Sequence, residues 1–142
     1  MIGKTDVVQM LNGAIGGLVA ITAEPLMPSP LAAILIGGVG GVIVVFGTKL
    51  LFSLKIDDVV GAVPAHLFAG IWGTLAVPIT NPDTSFGPQL LGVVSINAFV
   101  FIVAFIVWAI MKNTMGIRLS KEAEKTGTDV TETGVIAYAI KD

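Results

Sequence analysis

Cysteine is absent from the 142-residue chain, so disulfide frameworks, thiolate nucleophiles and Cys-type zinc sites are excluded. Charge is scarce too: 13% of residues are Asp, Glu, Lys or Arg, about half the ~25% of an ordinary soluble domain. The deficit is uneven, with eight charged side chains in residues 1–111 and ten in residues 112–142. So few charges cannot coat a water-soluble globule, which weighs against a soluble enzyme domain. There is one histidine, too little for a conventional zinc site without cysteine. Walker motifs, strand-linked glycine-rich loops, metal-ligand clusters and a Ser/His/Asp set are all missing, so neither an enzyme nor a cofactor is implied. A net charge of -2 and a pI near 5.2 argue against a nucleic-acid partner.

What is present is hydrophobic: 54% of the residues, with a mean hydropathy of +0.91. Residues 25–48, 59–82 and 84–111 contain no Asp, Glu, Lys or Arg. About 20 helical residues cross the hydrocarbon of a bilayer, so each gap is long enough. A weaker run begins near Val7, with Gln9 and Asn12 at its start. The expectation is an all-α membrane protein with four spans, at roughly 5–23, 30–51, 58–79 and 89–111. Residues 1–115 form its transmembrane region and residues 116–142 its polar tail. Backbone amides in lipid find no water, so helix is the expected form. The alternation of a β-barrel is missing from Ala32–Val45 and Phe99–Ile110. Pro25, Pro28 and Pro30 mark the first turn, Lys55, Asp57 and Asp58 the second, and Pro78, Pro82, Gly87 and Pro88 the third. All eight basic residues then fall on one side, which places Lys4, the 49–58 connection and the tail in the cytoplasm. Lys4 and the run after it loosely imitate a signal peptide, but the spans that follow favour an uncleaved helix. In the tail, Ser120 to Gly127 is expected to form a short capped helix.

Small and polar residues inside the spans narrow the reading. Gly13 and Gly17, the Gly37–Gly47 cluster, and Gly70 with Gly73 let helix backbones approach closely. The fourth span, with Phe99, Phe101, Phe105 and Trp108, is expected to face lipid or another subunit. His66 lies about two turns into the third span, where an ionisable group is costly and points to function. A neutral imidazole offers one donor and one acceptor, suited to a small polar molecule or a proton. Asp57 and Asp58 precede that helix, where carboxylates cap free amides and complement the dipole. Gln9 and Asn12 either hydrogen-bond between helices or line a cavity. Glu24 and Asp83, on the side poor in basic residues, are expected in solvated loops.

Three stretches carry a resemblance. The run from Leu11 to Ala23 (LNGAIGGLVAITA), the run from Lys55 to Leu75 (KIDDVVGAVPAHLFAGIWGTL), and the tail from Gly116 (GIRLS) with Glu122, Glu124, Gly127, Asp129, Glu132 and Ala137–Tyr138 resemble ammonium transporters of the Amt/Mep/Rh superfamily. The paired Asp before Pro-x-His-x-x-x-Gly-Ile-x-Gly is the specific part. The resemblance implies the last four helices and cytoplasmic tail of an eleven-helix fold that assembles as a homotrimer. It implies ammonium or ammonia as the transported species, membrane lipid as surroundings, and a PII-type signalling protein as a partner at the cytoplasmic face of a plasma or bacterial inner membrane. His66 then matches one of two facing pore histidines, and Asp57 and Asp58 the acidic pair before it. Gly70 and Gly73 support the conduction helix, while Gly127, Asp129, Glu132 and Tyr138 belong to a regulatory tail. Leu67 stands where a glycine often follows the pore histidine, and Thr133–Ile136 replace a His-Gly-Glu run. The family's pore is built from inverted halves, and four helices cannot supply both.

The implied function is ammonium transport as the C-terminal part of a channel, with deprotonation of ammonium and passage of ammonia through an apolar, His-lined pore. The alternative is a truncated, non-conducting membrane fragment that associates with full-length subunits. A small proton or ion carrier built on His66 alone ranks behind both.

Overall fold

A computed structural model describes residues 6–136, and among these residues all regular structure is helical, with no strand. Helix α1 runs Val7–Ile21, α2 Pro30–Ser53, a π-helical turn Val63–Phe68 leads directly into α3 at Ala69–Thr80, and α4 runs Phe86–Thr114. The short α5, Lys121–Thr126, and a second π turn, Asp129–Thr133, follow. Three segments are long and apolar enough to cross a membrane: Pro30–Ser53, Val63–Thr80 and Phe86–Thr114.

Local chemistry sets most of the boundaries. Asp6 caps α1, its Oδ1 accepting the Gln9 N–H at 3.1 Å. Ser29 does the same for α2, accepting from Ala32 N–H at 3.3 Å. Pro30 takes the first helical position, where its missing N–H costs nothing. Helix α2 ends in a Schellman-type turn, in which the Ile56 N–H reaches the Leu51 carbonyl at 3.0 Å. Its left-handed residue is Lys55, at φ 57°, rather than the usual glycine.

Three boundaries differ from the expected spans. Helix α1 has 15 residues, about 22 Å at ~1.5 Å per residue, because the Asp6 cap starts it and the Thr22–Ser29 bend ends it. The third segment starts at Val63 rather than residue 58, since Asp58 to Gly61 form a turn. Pro78 lies inside the last turn of α3, and Gly87 and Pro88 inside the first turn of α4. Near a helix start the absent proline N–H would have had no partner in any case.

The chain divides into two compact units, residues up to Ala98 and residues from Phe99 onward. In the first, α1, α2, the π turn and α3 pack on one another. Ala20, Ile36 and Ala76 form a buried cluster, with Ile21 and Trp72 packed against it. Trp72 Nε1 donates to the Ile36 carbonyl at 3.0 Å, pinning α3 to α2. Glycine makes the crossings possible. A Cβ on Gly40 would sit 2.7 Å from both Ala20 Cβ and the Gly16 carbonyl, and one on Gly73 would collide with the Ala20 backbone. Small residues let backbones meet where lipid supplies no hydrophobic drive between helices.

The second unit holds the remainder of α4, where Phe101 and Phe105 stack at 6.4 Å, and the tail. No residue of α4 is buried. Ser120 caps α5 through Ala123 N–H at 3.1 Å, and Gly127 closes it at φ 103°. Arg118 Nε donates to Glu124 Oε1 at 2.8 Å, drawing the Glu124 carboxyl below its ordinary value and raising the Arg118 guanidinium, chiefly through that hydrogen bond.

Candidate functional site: the His66 groove

The segment carrying His66 is anchored before it begins. Asp58 forks onto two backbone amides, Oδ1 accepting from Ala62 at 2.9 Å and Oδ2 from Val63 at 3.0 Å. A carboxylate there satisfies donors that a helix start leaves free and complements the dipole. Asp57 is exposed and joins no such bond among the described residues. With Lys55, Phe52 and Thr48 it lines an open cleft of about 400 Å³ beside the end of α2. Gly61 is buried at φ 73°, a left-handed conformation suited to glycine. A Cβ there would collide with the Asn12 amide.

Pro64 then shapes the helix. It lacks an N–H, and the chain widens into the π turn, where the Ala69 N–H is shared between the Pro64 and His66 carbonyls. Such insertions recur at functional sites. Pro64 and Ala65 are buried, and His66 and Leu67 are exposed.

His66 stands on the wall of an open groove of about 360 Å³. Gly70 and Thr74 continue its side, and Gln89, Val93 and Asn97 of α4 face them. The lining is mainly apolar, and His66 is its one ionisable residue. Among the described residues the imidazole has no hydrogen-bond partner. Asn97 Nδ2 is used locally, donating to the Val93 carbonyl at 2.7 Å. Apolar walls penalise a bare cation, whereas a neutral imidazole can donate one hydrogen bond and accept another. The arrangement suits a small, uncharged, hydrogen-bonding molecule.

The expected site residues are thus partly brought together. His66 and Gly70 share the groove, and a Cβ on Gly70 would meet Val19 only at an ordinary contact distance. Gly73 turns instead toward α1, and Asp58 acts at the start of the segment. Gly127, Asp129 and Glu132 belong to the second unit, where Asp129 and Glu132 lie in its π turn. Tyr138 lies outside the described residues. Gln89 and Asn97 were not singled out from sequence. Their signal is the stripe Gln89, Gly92, Val93, Ile96 and Asn97, spaced as one face of a helix. Of the two polar residues left open on α1, Asn12 bonds across to the turn before the third segment, Nδ2 donating to the Val60 carbonyl at 2.7 Å. Gln9 Oε1 is buried with no partner among the described residues.

Comparison with known proteins adds an independent finding. The model of the Ammonium Transporter Family matches residues 1–138. Ammonium transporter Amt2 of Archaeoglobus fulgidus is 38% identical over 157 residues, covering 96% of this chain and 33% of that protein. Ammonium transporter Amt1 of Haloferax mediterranei is 34% identical over 141 residues, covering 96% and 27%. An ammonium transporter of Bacillus subtilis is 32% identical over 154 residues, covering 95% and 37%. The chain spans about a third of the length of these curated relatives.

Proposed function

The chain belongs to the ammonium transporter family, and on that premise we propose that it carries ammonium across the membrane, as ammonia, as the C-terminal part of an ammonium channel. Family membership, with three segments long and apolar enough to span, makes it a multi-pass integral membrane protein rather than an enzyme. The observation that carries the reading is the His66 imidazole, without a hydrogen-bond partner among the described residues, on the wall of a mainly apolar groove.

Ammonium in water is a hydrated cation, and stripping that shell inside apolar walls is expensive. Transfer of the proton to water before the apolar stretch removes most of that cost. Ammonia then needs only hydrogen-bonding partners along its way. His66 supplies one donor and one acceptor, and the charge-free stretch between Asp58 and Asp83 gives a cation little to pair with. In this reading the complete assembly is a homotrimer in a plasma or bacterial inner membrane, with the tail cytoplasmic and open to a PII-type signalling protein. Gly127, Asp129, Glu132 and Tyr138 would take part in that control, and Asp57 and Gly73 would support conduction. Uptake on limiting ammonium, measured for the native assembly and for His66→Ala, tests the reading. Reduced or decoupled uptake is expected; uptake and selectivity equal to wild type would overturn it.

A second reading is a non-conducting membrane protein that associates with full-length subunits. The intact mass of the native protein separates the two. A species much heavier than 14.7 kDa supports the channel reading, and one at 14.7 kDa supports the second.

A further inference from the structure

Four backbone groups at the start of the His66 segment need partners, and their donors and acceptors can be followed one by one. The Ala62 and Val63 N–H groups go to Asp58. The Ala65 N–H reaches the Gly61 carbonyl at 3.2 Å, one helical step of four residues. The same step from position 64 would end on the Val60 carbonyl, but Pro64 has no N–H to give. That carbonyl is taken by the Asn12 side chain, 48 residues away on α1, at 2.7 Å. Gly61 makes room for it, since any Cβ there would meet the same amide. This bond ties the exposed turn directly to α1.

We infer that Asn12 is a positioning residue for His66: its amide replaces the bond Pro64 cannot make and so sets the height and rotation of the imidazole in the groove. His66 lies six residues beyond Val60, on the turn that Asn12 and Asp58 hold between them. Trp72 holds the same segment farther along through Ile36. Without the Asn12 bond, the stretch from Asp58 to Phe68 keeps its carboxylate cap and its packing on α1 but loses its side-chain hydrogen bond to that helix. The consequence for transport rests on His66 acting in conduction; the positioning itself does not.

The sequence has one histidine, so the full chain labelled with ¹⁵N-histidine in lipid bilayers gives signals from a single imidazole. Asn12→Asp keeps the shape and removes the donor. It is expected to shift or broaden both imidazole resonances, and to lower flux through the native assembly about five-fold, the worth of one net hydrogen bond, with half-saturation unchanged. Asn113→Asp removes a comparable donor, bonded within its own helix to the Ala109 carbonyl, and is expected to leave the resonances in place. Pro64→Ala restores a backbone N–H for Val60, so in that background Asn12→Asp should change flux less than two-fold. Unmoved resonances in Asn12→Asp would overturn the inference. So would an undiminished effect in the Pro64→Ala background, including a failure to fold in both backgrounds. Moved resonances together with a His66→Ala assembly that transports normally would leave the positioning intact and defeat the conduction reading instead.

Discussion

Gly73 lies where α3 crosses α1, and a methyl group added there meets backbone rather than side chain. The new Cβ would lie 2.9 Å from the Ala20 Cα and carbonyl carbon, and nearer still to the carbonyl oxygen. No rotamer change relieves such a contact, because the opposing atoms belong to a hydrogen-bonded helix. The two helices must separate, disturbing the buried Ala20, Ile36 and Ala76 cluster. Overpacking of this kind costs about 1–3 kcal/mol. Against it stands the intrinsic preference of a helix for alanine over glycine, about 1 kcal/mol. Gly38→Ala isolates that second effect, since a Cβ at Gly38 meets nothing within 4 Å. Denaturant unfolding in detergent micelles, followed by helical circular dichroism, should therefore find Gly38→Ala slightly more stable than wild type. Gly73→Ala should fall about 1–3 kcal/mol below Gly38→Ala. Equal stabilities for the two variants would refute the close crossing of α1 and α3.

Other perturbations probe other parts of the fold. Lys55→Gly relieves a left-handed residue at the end of α2 and should raise stability by about 1 kcal/mol in the same unfolding assay. Asp58→Ala removes the cap of the His66 segment and should cost about 1 kcal/mol, with Asp58→Asn closer to wild type. In the tail, the Glu124 carboxyl is held below its ordinary value by Arg118. A lowered folded value means that the pair supports α5 above the ordinary carboxylate range and that this support fades as pH falls through the folded value. Tail helicity of the wild type should thus drop in that acidic window, while Glu124→Gln should show a flatter response. Added salt should weaken the difference, because the pair is exposed.

Much of the fold was legible because it follows from short-range chemistry. Charge-free stretches longer than a bilayer crossing, with no water for their amides, leave helix as the available form. Ser120 and Gly127 announce the ends of α5 by the groups they offer to the backbone. What escaped depends on partners distant in sequence. Pro64 signals a missing donor, but only the fold shows that Asn12 takes up the carbonyl left behind. The π turn was likewise not read from the sequence, although Asp58 anchors its first residue through the Val63 N–H. Pro78 reads as a break but sits within a helix whose last turn ends two residues later. At the candidate site, His66 was visible as a lone ionisable group in an apolar run. Gln89 and Asn97 were not, because their meaning lies in the face they share across the groove.

The central claim is conduction past His66, and the most direct measurement is ammonium-driven flux into liposomes that contain the native assembly and trap a pH-sensitive dye. An ammonium gradient should alkalinise the interior faster than in protein-free liposomes as ammonia enters and takes up protons, and His66→Ala should remove most of that excess rate. Alkalinisation by His66→Ala at the wild-type rate, in liposomes with the same protein content, would contradict the account.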